Sequence, residues 1–140
     1  MSSTSRPLAS SVAVFYKNSV LLGKRIEQYE GKPVPLGGYW SVFGGMVEEG
    51  ESLKEAACRE LQEETTILVE PSVLCPITVL YNHGVSYNIY GYHACSLVLP
   101  VLNFEHTEYG WFKAEDLTSF PYLIDESLVE ALHSYISDTD

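Results

Sequence analysis

The chain has few basic residues and no long apolar run, and each shortage excludes a class of protein. Eight lysines and arginines stand against 19 acidic residues, which gives a formal net charge of −11. Such a chain has no basic surface with which to hold long nucleic acid. No apolar run approaches the ~20 residues that a membrane span needs, and the serine-rich start lacks the apolar core of a signal peptide. We therefore predict a cytoplasmic protein that binds neither a membrane nor long nucleic acid.

Cysteine is also scarce. Cys58, Cys75 and Cys95 are an odd number with no paired spacing, so neither zinc nor disulfides are expected. The 140 residues suffice for one domain that buries roughly two-thirds of its unfolded surface. We expect the polar residues 1–10 to be disordered and residues 11–140 to form a single domain. The oligomeric state stays open between a monomer and a homodimer.

The most informative stretch runs from Gly45 to Ile67 and reads GMVEEGESLKEAACRELQEETTI. Ser52, followed three residues later by Glu55, forms a capping box. This pair predicts a helix from Ser52 to about Thr65. At ~100° per residue, the apolar face of that helix consists of four residues: Leu53, Ala56, Ala57 and Leu61.

Three glutamates lie on or beside this apolar face. Glu60 and Glu64 fall within it, one turn apart, and Glu63 lies on its flank. An acidic run is ordinarily a solvated face, but inward carboxylates repel one another unless a cation lies between them. Oxygen ligands suit Mg²⁺ or Mn²⁺, and such a cation would also supply positive charge that this acidic chain lacks. Arg59 can fork the carboxylate of Glu51 and hold it in place.

These residues resemble the Nudix box, G-x5-E-x7-R-E-U-x-E-E-x-G-U with U aliphatic, which marks hydrolases of nucleoside diphosphates linked to another moiety. The chain departs from the box where its second glycine is replaced by Thr66, and Phe43 replaces the proline that usually precedes the paired glycines. Glycine just past a helix end normally takes the left-handed conformation, which a β-branched residue avoids. We expect Thr66 to keep an ordinary conformation and the chain to leave the helix by another route.

The resemblance implies a Nudix α/β/α sandwich, with a mixed sheet between helices, and a metal-dependent pyrophosphohydrolase that cleaves a phosphoanhydride bond. It implies that Mg²⁺ or Mn²⁺ is held by the carbonyl of Gly44 and by Glu60, Glu63 and Glu64. The residues assigned to catalysis are the alternative bases Glu64 and Glu105 and the positioning pair Glu51 and Arg59. Those assigned to the substrate are Arg25, Gly45 and Tyr39.

The predicted substrate is a small nucleotide, and its identity is open between (d)NTPs, ADP-ribose or other nucleotide sugars, and dinucleoside polyphosphates. Residues 105–111, EHTEYGW, resemble the EHxxYxW pattern of dinucleoside-polyphosphate hydrolases. Within this segment Glu108 is the rival of Glu105. The alternative function is a catalytically silent Nudix-fold module that binds or senses a nucleotide, although such modules usually have a degraded box.

The remaining patterns predict strands around this helix. The predicted strands cover residues 11–18, 19–25, 39–43, 67–69, 76–81 and 87–102, the last with a break at Pro100. Asp125 is predicted to cap a second amphipathic helix. Four residues either line a base-stacking pocket or are ordinary strand residues: His83, Tyr87, Tyr90 and Tyr92.

Overall fold

Within residues 7–139, which the computed structural model describes, seven strands form one mixed sheet and two short strands form a separate hairpin. The strands are β1 (Leu8–Tyr16), β2 (Ser19–Arg25), β3 (Gln28–Tyr29), β4 (Lys32–Pro33), β5 (Trp40–Ser41), β6 (Phe43–Met46), β7 (Cys75–Asn82), β8 (Val85–His93) and β9 (His106–Lys113). The helices are α1 (Leu53–Thr65), α2 (Ala114–Leu117) and α3 (Glu126–Thr139). None of the helices in this part of the chain is long and apolar enough to cross a membrane.

Strand β1 runs through the middle of the sheet. It pairs in parallel with β8 and antiparallel with β6 and β2, and β2 in turn pairs with β5 and β9. Successive side chains of a strand point to opposite faces. Accordingly, Val12 and Val14 pack in the core with α1, whereas Ala13 and Phe15 pack in the core with α3. This arrangement confirms the predicted α/β/α sandwich with a mixed sheet between the helices.

Helix α1 begins as the sequence predicts. The hydroxyl of Ser52 accepts a hydrogen bond from the Glu55 N–H at 3.1 Å, and the Glu55 carboxylate accepts one from the Ser52 N–H at 2.9 Å. The start of α3 is also confirmed, since Oδ1 of Asp125 accepts hydrogen bonds from the N–H groups of Ser127 and Leu128. Both helices therefore have a side chain that satisfies backbone donors left free in the first turn.

The predicted disorder of residues 1–10 is wrong for Leu8–Ser10, which belong to β1. Ala9 and Ser10 are buried, and the Ser10 hydroxyl donates to the Leu53 carbonyl at 2.6 Å. The pairing of this segment with β6 and β8 outweighs its polar composition, because both neighbours satisfy its backbone. Residues 1–6 lie outside the described residues.

Two strand predictions are wrong as well. Residues 67–69 form no strand, because the buried Ile67 packs in the α1 core and its N–H bonds to the Thr65 hydroxyl instead of to a neighbouring strand. Strand β8 ends at His93, well before Pro100. The Ala94 N–H donates to the Phe15 carbonyl, and β1 itself ends one residue later, so the chain has no further partner there.

The expectation for Thr66 is also wrong. This residue ends α1 in the left-handed conformation, with φ of 65° and ψ of 6°, and its N–H bonds to the Gln62 carbonyl at 2.9 Å. The neighbouring residues determine this exit, because Ile67 turns back into the core and the buried Thr65 hydroxyl bonds to both the Leu61 carbonyl and the Ile67 N–H. Tertiary packing thus imposes the conformation that threonine disfavours.

Replacing Thr66 with glycine is expected to stabilise the fold. Removing the strain of a β-branched residue in the left-handed conformation should raise the free energy of unfolding by about 1–2 kcal/mol. The greater conformational freedom of glycine in the unfolded chain should lower it again by about 0.4–1 kcal/mol. The expected net gain, roughly 0.5–1 kcal/mol, should raise Tm by about 2 °C in thermal denaturation. Thr118, which ends α2 in the ordinary right-handed conformation, provides the matched control. Thr118→Gly should lower Tm. If Thr66→Gly also lowers Tm, the conclusion that Thr66 is strained in the fold would be wrong.

Candidate active site

The site is built around the carboxyl group of Glu64. Its side chain is fully buried, and Oε1 accepts a hydrogen bond from the Gly44 N–H at 3.1 Å. Oε2 is buried as well, and among the described residues it meets only the Glu60 carboxyl, with which it can hydrogen-bond only while the two groups share a proton. A buried carboxylate oxygen left unpaired is costly, which makes this atom the one in the site most in need of a further ligand.

Burial, the hydrogen-bonded carboxyl of Glu60 and the negative charges of Glu105 and Glu60 together raise the pKa of Glu64 to about 9, while the Gly44 N–H opposes the shift. The site therefore brings two further carboxyls close enough to Glu64 to disfavour its ionisation. As the sequence predicts, Glu60 lies on the inward side of α1, with its side chain 13% exposed.

Arg59 is the hub of the acidic cluster. Its Nε and Nη2 donate a bidentate pair of hydrogen bonds to the Glu51 carboxylate, at 2.6 and 3.0 Å. This is the contact predicted from the sequence. Its Nη1 donates to Glu60 at 2.9 Å and to Glu63 at 3.2 Å. The fork and its charge lower the pKa of Glu51, and Glu51 in turn raises the pKa of Arg59. One guanidinium thus orients three of the carboxylates on or beside α1.

The paired glycines allow β6 to pass close to these groups. A Cβ at Gly45 would lie 2.5 Å from the Glu60 carboxyl, and a Cβ at Gly44 would collide with the Ser10 carbonyl and the Ser11 side chain. Any larger residue would therefore displace the Glu60 carboxyl or β1. The glycines are required here because of this close approach, since neither needs a positive φ.

The structure does not bring Glu63 to the same point. Its side chain is 52% exposed and faces Arg59, on the flank where the helical spacing places it. Across residues 7–139, no three acidic, histidine or cysteine side chains are arranged as a ready-made cation site. The groups that do fit a hard cation are oxygen donors: the unpaired Oε2 of Glu64 and the carboxyl of Glu60.

Glu105 reaches the site from the segment that precedes β9. Asn103 orients it, because its side-chain oxygen accepts from the Glu105 N–H at 2.9 Å and its Nδ2 donates to Oε1 of Glu105 at 3.3 Å. The Asn103 N–H also bonds to the Glu64 carbonyl at 3.2 Å, which ties this segment to the end of α1. Sequence reasoning missed Asn103. The spacing Asn-x-Glu is typical of an Asx turn, but it is too common to single out a functional residue.

Of the residues predicted to contact the substrate, Arg25 and Tyr39 lie together at the end of β2. The Arg25 N–H bonds to the Tyr39 carbonyl at 2.9 Å, and Nε of Arg25 bonds to the Pro35 carbonyl at 3.3 Å. Arg25 is paired across the sheet with His106, the residue after Glu105. The Arg25 guanidinium therefore lies at the joined ends of β2 and β9, where its charge acts on His106.

His106 is buried behind Glu105, with its ring edge against Phe43 at a centroid distance of 4.7 Å. Burial and the charge of Arg25 lower the pKa of His106 to about 4, so the ring is neutral at physiological pH. Both rings fill the space above Gly23, where a Cβ would lie 2.6 Å from Phe43. Phe43 replaces the proline that usually precedes the paired glycines. Its ring packs against Gly23 and His106 and so supports the backbone that leads into Gly44.

The tyrosines of β8 do not form the base-stacking pocket that the sequence offered as one interpretation. Strand β8 pairs with β1 in continuous register, so Tyr87 points to the opposite face from Tyr90 and Tyr92. Tyr90 and Tyr92 pack against the core beneath α1. His83 lies in the turn before β8 with a positive φ of 49°. The second interpretation, ordinary strand residues, fits the structure better.

The chain matches the NUDIX domain family model over residues 5–132. It is 40% identical over 68 residues to the oxidized purine nucleoside triphosphate hydrolase of Mus musculus, a match that covers 49% of this chain and 39% of that protein. It is 39% identical over 57 residues to the RNA pyrophosphohydrolase of Bartonella quintana (strain Toulouse), which covers 40% of this chain and 33% of that protein. The matched segments thus span less than half the length of either relative. The MutT NUDIX hydrolase from Burkholderia pseudomallei superposes with a TM-score of 0.72 and 26% identity, over 90% of this chain and 95% of that chain.

The burial of Glu64 predicts how the metal-free protein responds to pH. Because its pKa is about 9 in the fold and about 4.5 in the unfolded chain, the folded protein holds one extra proton between these values. The free energy of unfolding should therefore fall as pH rises from 5 to 8, by as much as roughly 1 kcal/mol per pH unit. Glu64→Gln should lose this slope and be at least as stable as the parent in EDTA.

Urea denaturation at pH 5 and pH 8 measures this difference. The matched control is Glu55→Gln, an exposed glutamate of the same helix whose replacement keeps the capping box. A Glu64→Gln protein that is clearly less stable than the parent at pH 8 without metal would show that the carboxyl has a structural role.

Proposed function

The chain belongs to the NUDIX domain family, and we propose that it is a metal-dependent pyrophosphohydrolase that cleaves a phosphoanhydride bond in a nucleoside diphosphate derivative. The observation that supports this proposal is the buried carboxyl of Glu64, whose Oε2 meets the Glu60 carboxyl instead of a backbone or basic donor. Two carboxyls in such contact cannot both ionise without a cation, which is an arrangement typical of a site that binds a cation and phosphates.

Mg²⁺ or Mn²⁺ is the cation that suits an all-oxygen site of this kind. Glu60 and Glu64 would be its principal ligands, and the Gly44 carbonyl and Glu63 would complete the set. When bound, the cation polarises the diphosphate and lowers the pKa of a water. Arg59 fixes Glu60 by a hydrogen bond from Nη1, whereas Glu63, which bonds to the same nitrogen and is half-exposed, would have to turn away from Arg59 to join the ligands.

Glu105 is the better candidate for the general base than Glu64. The Glu64 carboxylate is enclosed and accepts a hydrogen bond from the Gly44 N–H, whereas Glu105 is partly exposed on the segment that faces the cluster. Asn103 occupies Oε1 of Glu105 and leaves Oε2 to accept a proton. Glu108 is no longer a close rival, because it is exposed and pairs with Lys24 at 3.6 Å.

Arg25, with Tyr39 beside it, is positioned to bind a phosphate group of the substrate. The guanidinium projects from the end of β2, opposite the strand that follows Glu105, and its charge complements a diphosphate. Gly45 lets β6 pass close to the Glu60 carboxyl, and its contact with the substrate stays a prediction. The substrate is a small nucleotide from the classes proposed from the sequence. Its identity, the cytoplasmic location and the homodimer stay predictions.

Removal of the cation or of the Glu64 carboxylate is expected to abolish hydrolysis. Activity on a panel of (d)NTPs, ADP-ribose and dinucleoside polyphosphates should vanish in EDTA and return with Mg²⁺ or Mn²⁺, with products identified by mass. Glu64→Gln should lower kcat by ~10²-fold or more, because neutral Gln is a poor ligand for a hard cation. Glu130→Gln, an exposed glutamate of α3, is the control. Undiminished turnover in a chelator would refute the mechanism.

A further prediction concerns Asn103 as a positioning residue. Asn103→Ala removes the donor to the Glu105 carboxylate and the acceptor for its N–H, so kcat should fall by about tenfold with a smaller change in KM. Asn103→Asp keeps the acceptor for the backbone but places a second negative charge beside Glu105. If orientation of the carboxylate matters, Asp should be as poor as Ala. If only the turn matters, Asp should restore kcat, and the assignment would be wrong.

A further inference from the structure

Two exposed aromatic rings contact each other beside the proposed active site. Tyr29, on the β3–β4 hairpin, and Phe104, just before β9, have ring centroids 5.0 Å apart and planes inclined by 34°. Their side chains are 48% and 59% exposed, so the contact buries little of either ring. Two apolar surfaces that remain open to water although they lie together indicate a place for a further apolar partner.

The position of the rings is fixed by backbone hydrogen bonds. The Glu105 carbonyl accepts from the Ile26 N–H at 2.8 Å, which joins the start of the hairpin loop to the segment 103–105. Phe104 directly precedes Glu105, and consecutive Cα atoms are about 3.8 Å apart. Tyr29 follows Arg25 by four positions. The ring pair therefore joins the segment that carries the candidate base to the hairpin that follows the candidate phosphate-binding arginine.

We infer that Tyr29 and Phe104 form a stacking platform for the nucleobase of the substrate. This inference rests on the proposed function, because it takes for granted that the phosphates of a nucleotide lie at the acidic cluster. At a centroid distance of 5.0 Å the rings leave no room for a base between them. The base therefore stacks on the outer, exposed face of the pair.

The chemistry around the rings favours a nucleotide over a purely apolar ligand. Lys32 is the cross-strand partner of Tyr29 in the hairpin, and Arg25 lies at the hairpin's base. Two of the eight lysines and arginines in the whole chain therefore lie close to this aromatic pair in sequence. A flat apolar surface next to cationic groups complements a ligand with a planar base and an anionic tail.

Calorimetric titration in Mg²⁺ tests the inference without turnover. The probes are a non-hydrolysable methylene analogue of ATP and inorganic tripolyphosphate, which carries a similar charge but no base. In the variant Tyr29→Ala/Phe104→Ala, binding of the analogue should weaken by about 5- to 100-fold, while tripolyphosphate binding should change by less than about twofold. Tyr29→Phe and Phe104→Tyr should each retain the affinity of the parent.

The control variant is Tyr81→Ala, which truncates a 68% exposed aromatic residue of β7, the strand at the opposite edge of the sheet from β5. Tyr29→Leu/Phe104→Leu retains apolar bulk without the rings, and it replaces the alanine variant if that one melts markedly lower than the parent. Equal weakening for both probes, no change for either, or a parent protein that binds the analogue no more tightly than tripolyphosphate would each overturn the platform. Failure of the proposed function itself appears separately, as hydrolysis that survives Glu64→Gln.

Discussion

The burial of the Glu64 carboxyl, where α1 meets Gly44 of β6, is the constraint on which the site depends. An ionised carboxylate in this position is unfavourable, and the Gly44 N–H compensates for only one of its two oxygens. The rest of the fold makes this burial tolerable, since α1 is held by a full capping box at one end and by buried packing at the other. The fold therefore gives up stability at this one point, as proteins commonly do at functional sites.

The features that were predictable from the sequence are those determined by local chemistry. The capping box and the 3.6-residue period fix α1 and the inward direction of Glu60 and Glu64 within a single stretch of chain. The fork between Arg59 and Glu51 was also predictable, because both residues belong to that same stretch. Long-range packing decided what was missed: the left-handed Thr66 results from the need to bury Ile67, which the local sequence does not reveal.

The aromatic residues show the same boundary between local and long-range information. Strand periodicity alone separates Tyr87 from Tyr90 and Tyr92, so the pocket that groups them could have been rejected from the sequence. The contact between Tyr29 and Phe104 could not have been foreseen, because it joins a hairpin to a distant loop. Asn103 could not have been foreseen either, because its position depends on a long-range hydrogen bond from its N–H to the Glu64 carbonyl near the end of α1.

The parallel pairing of β1 with β8 has a consequence for the order in which the protein folds. The central strand is synthesised first, yet its parallel partner appears only after α1 and β7, with Leu8 paired to Ser86. Closing so long a loop is entropically unfavourable until many contacts form together, so the sheet is expected to assemble late and cooperatively. A nascent chain that has just completed α1 still lacks β8 and β9, and the apolar face of that helix has only part of its cover. During synthesis, the helix that carries Glu60 and Glu64 therefore also exposes apolar surface of the kind that chaperones recognise.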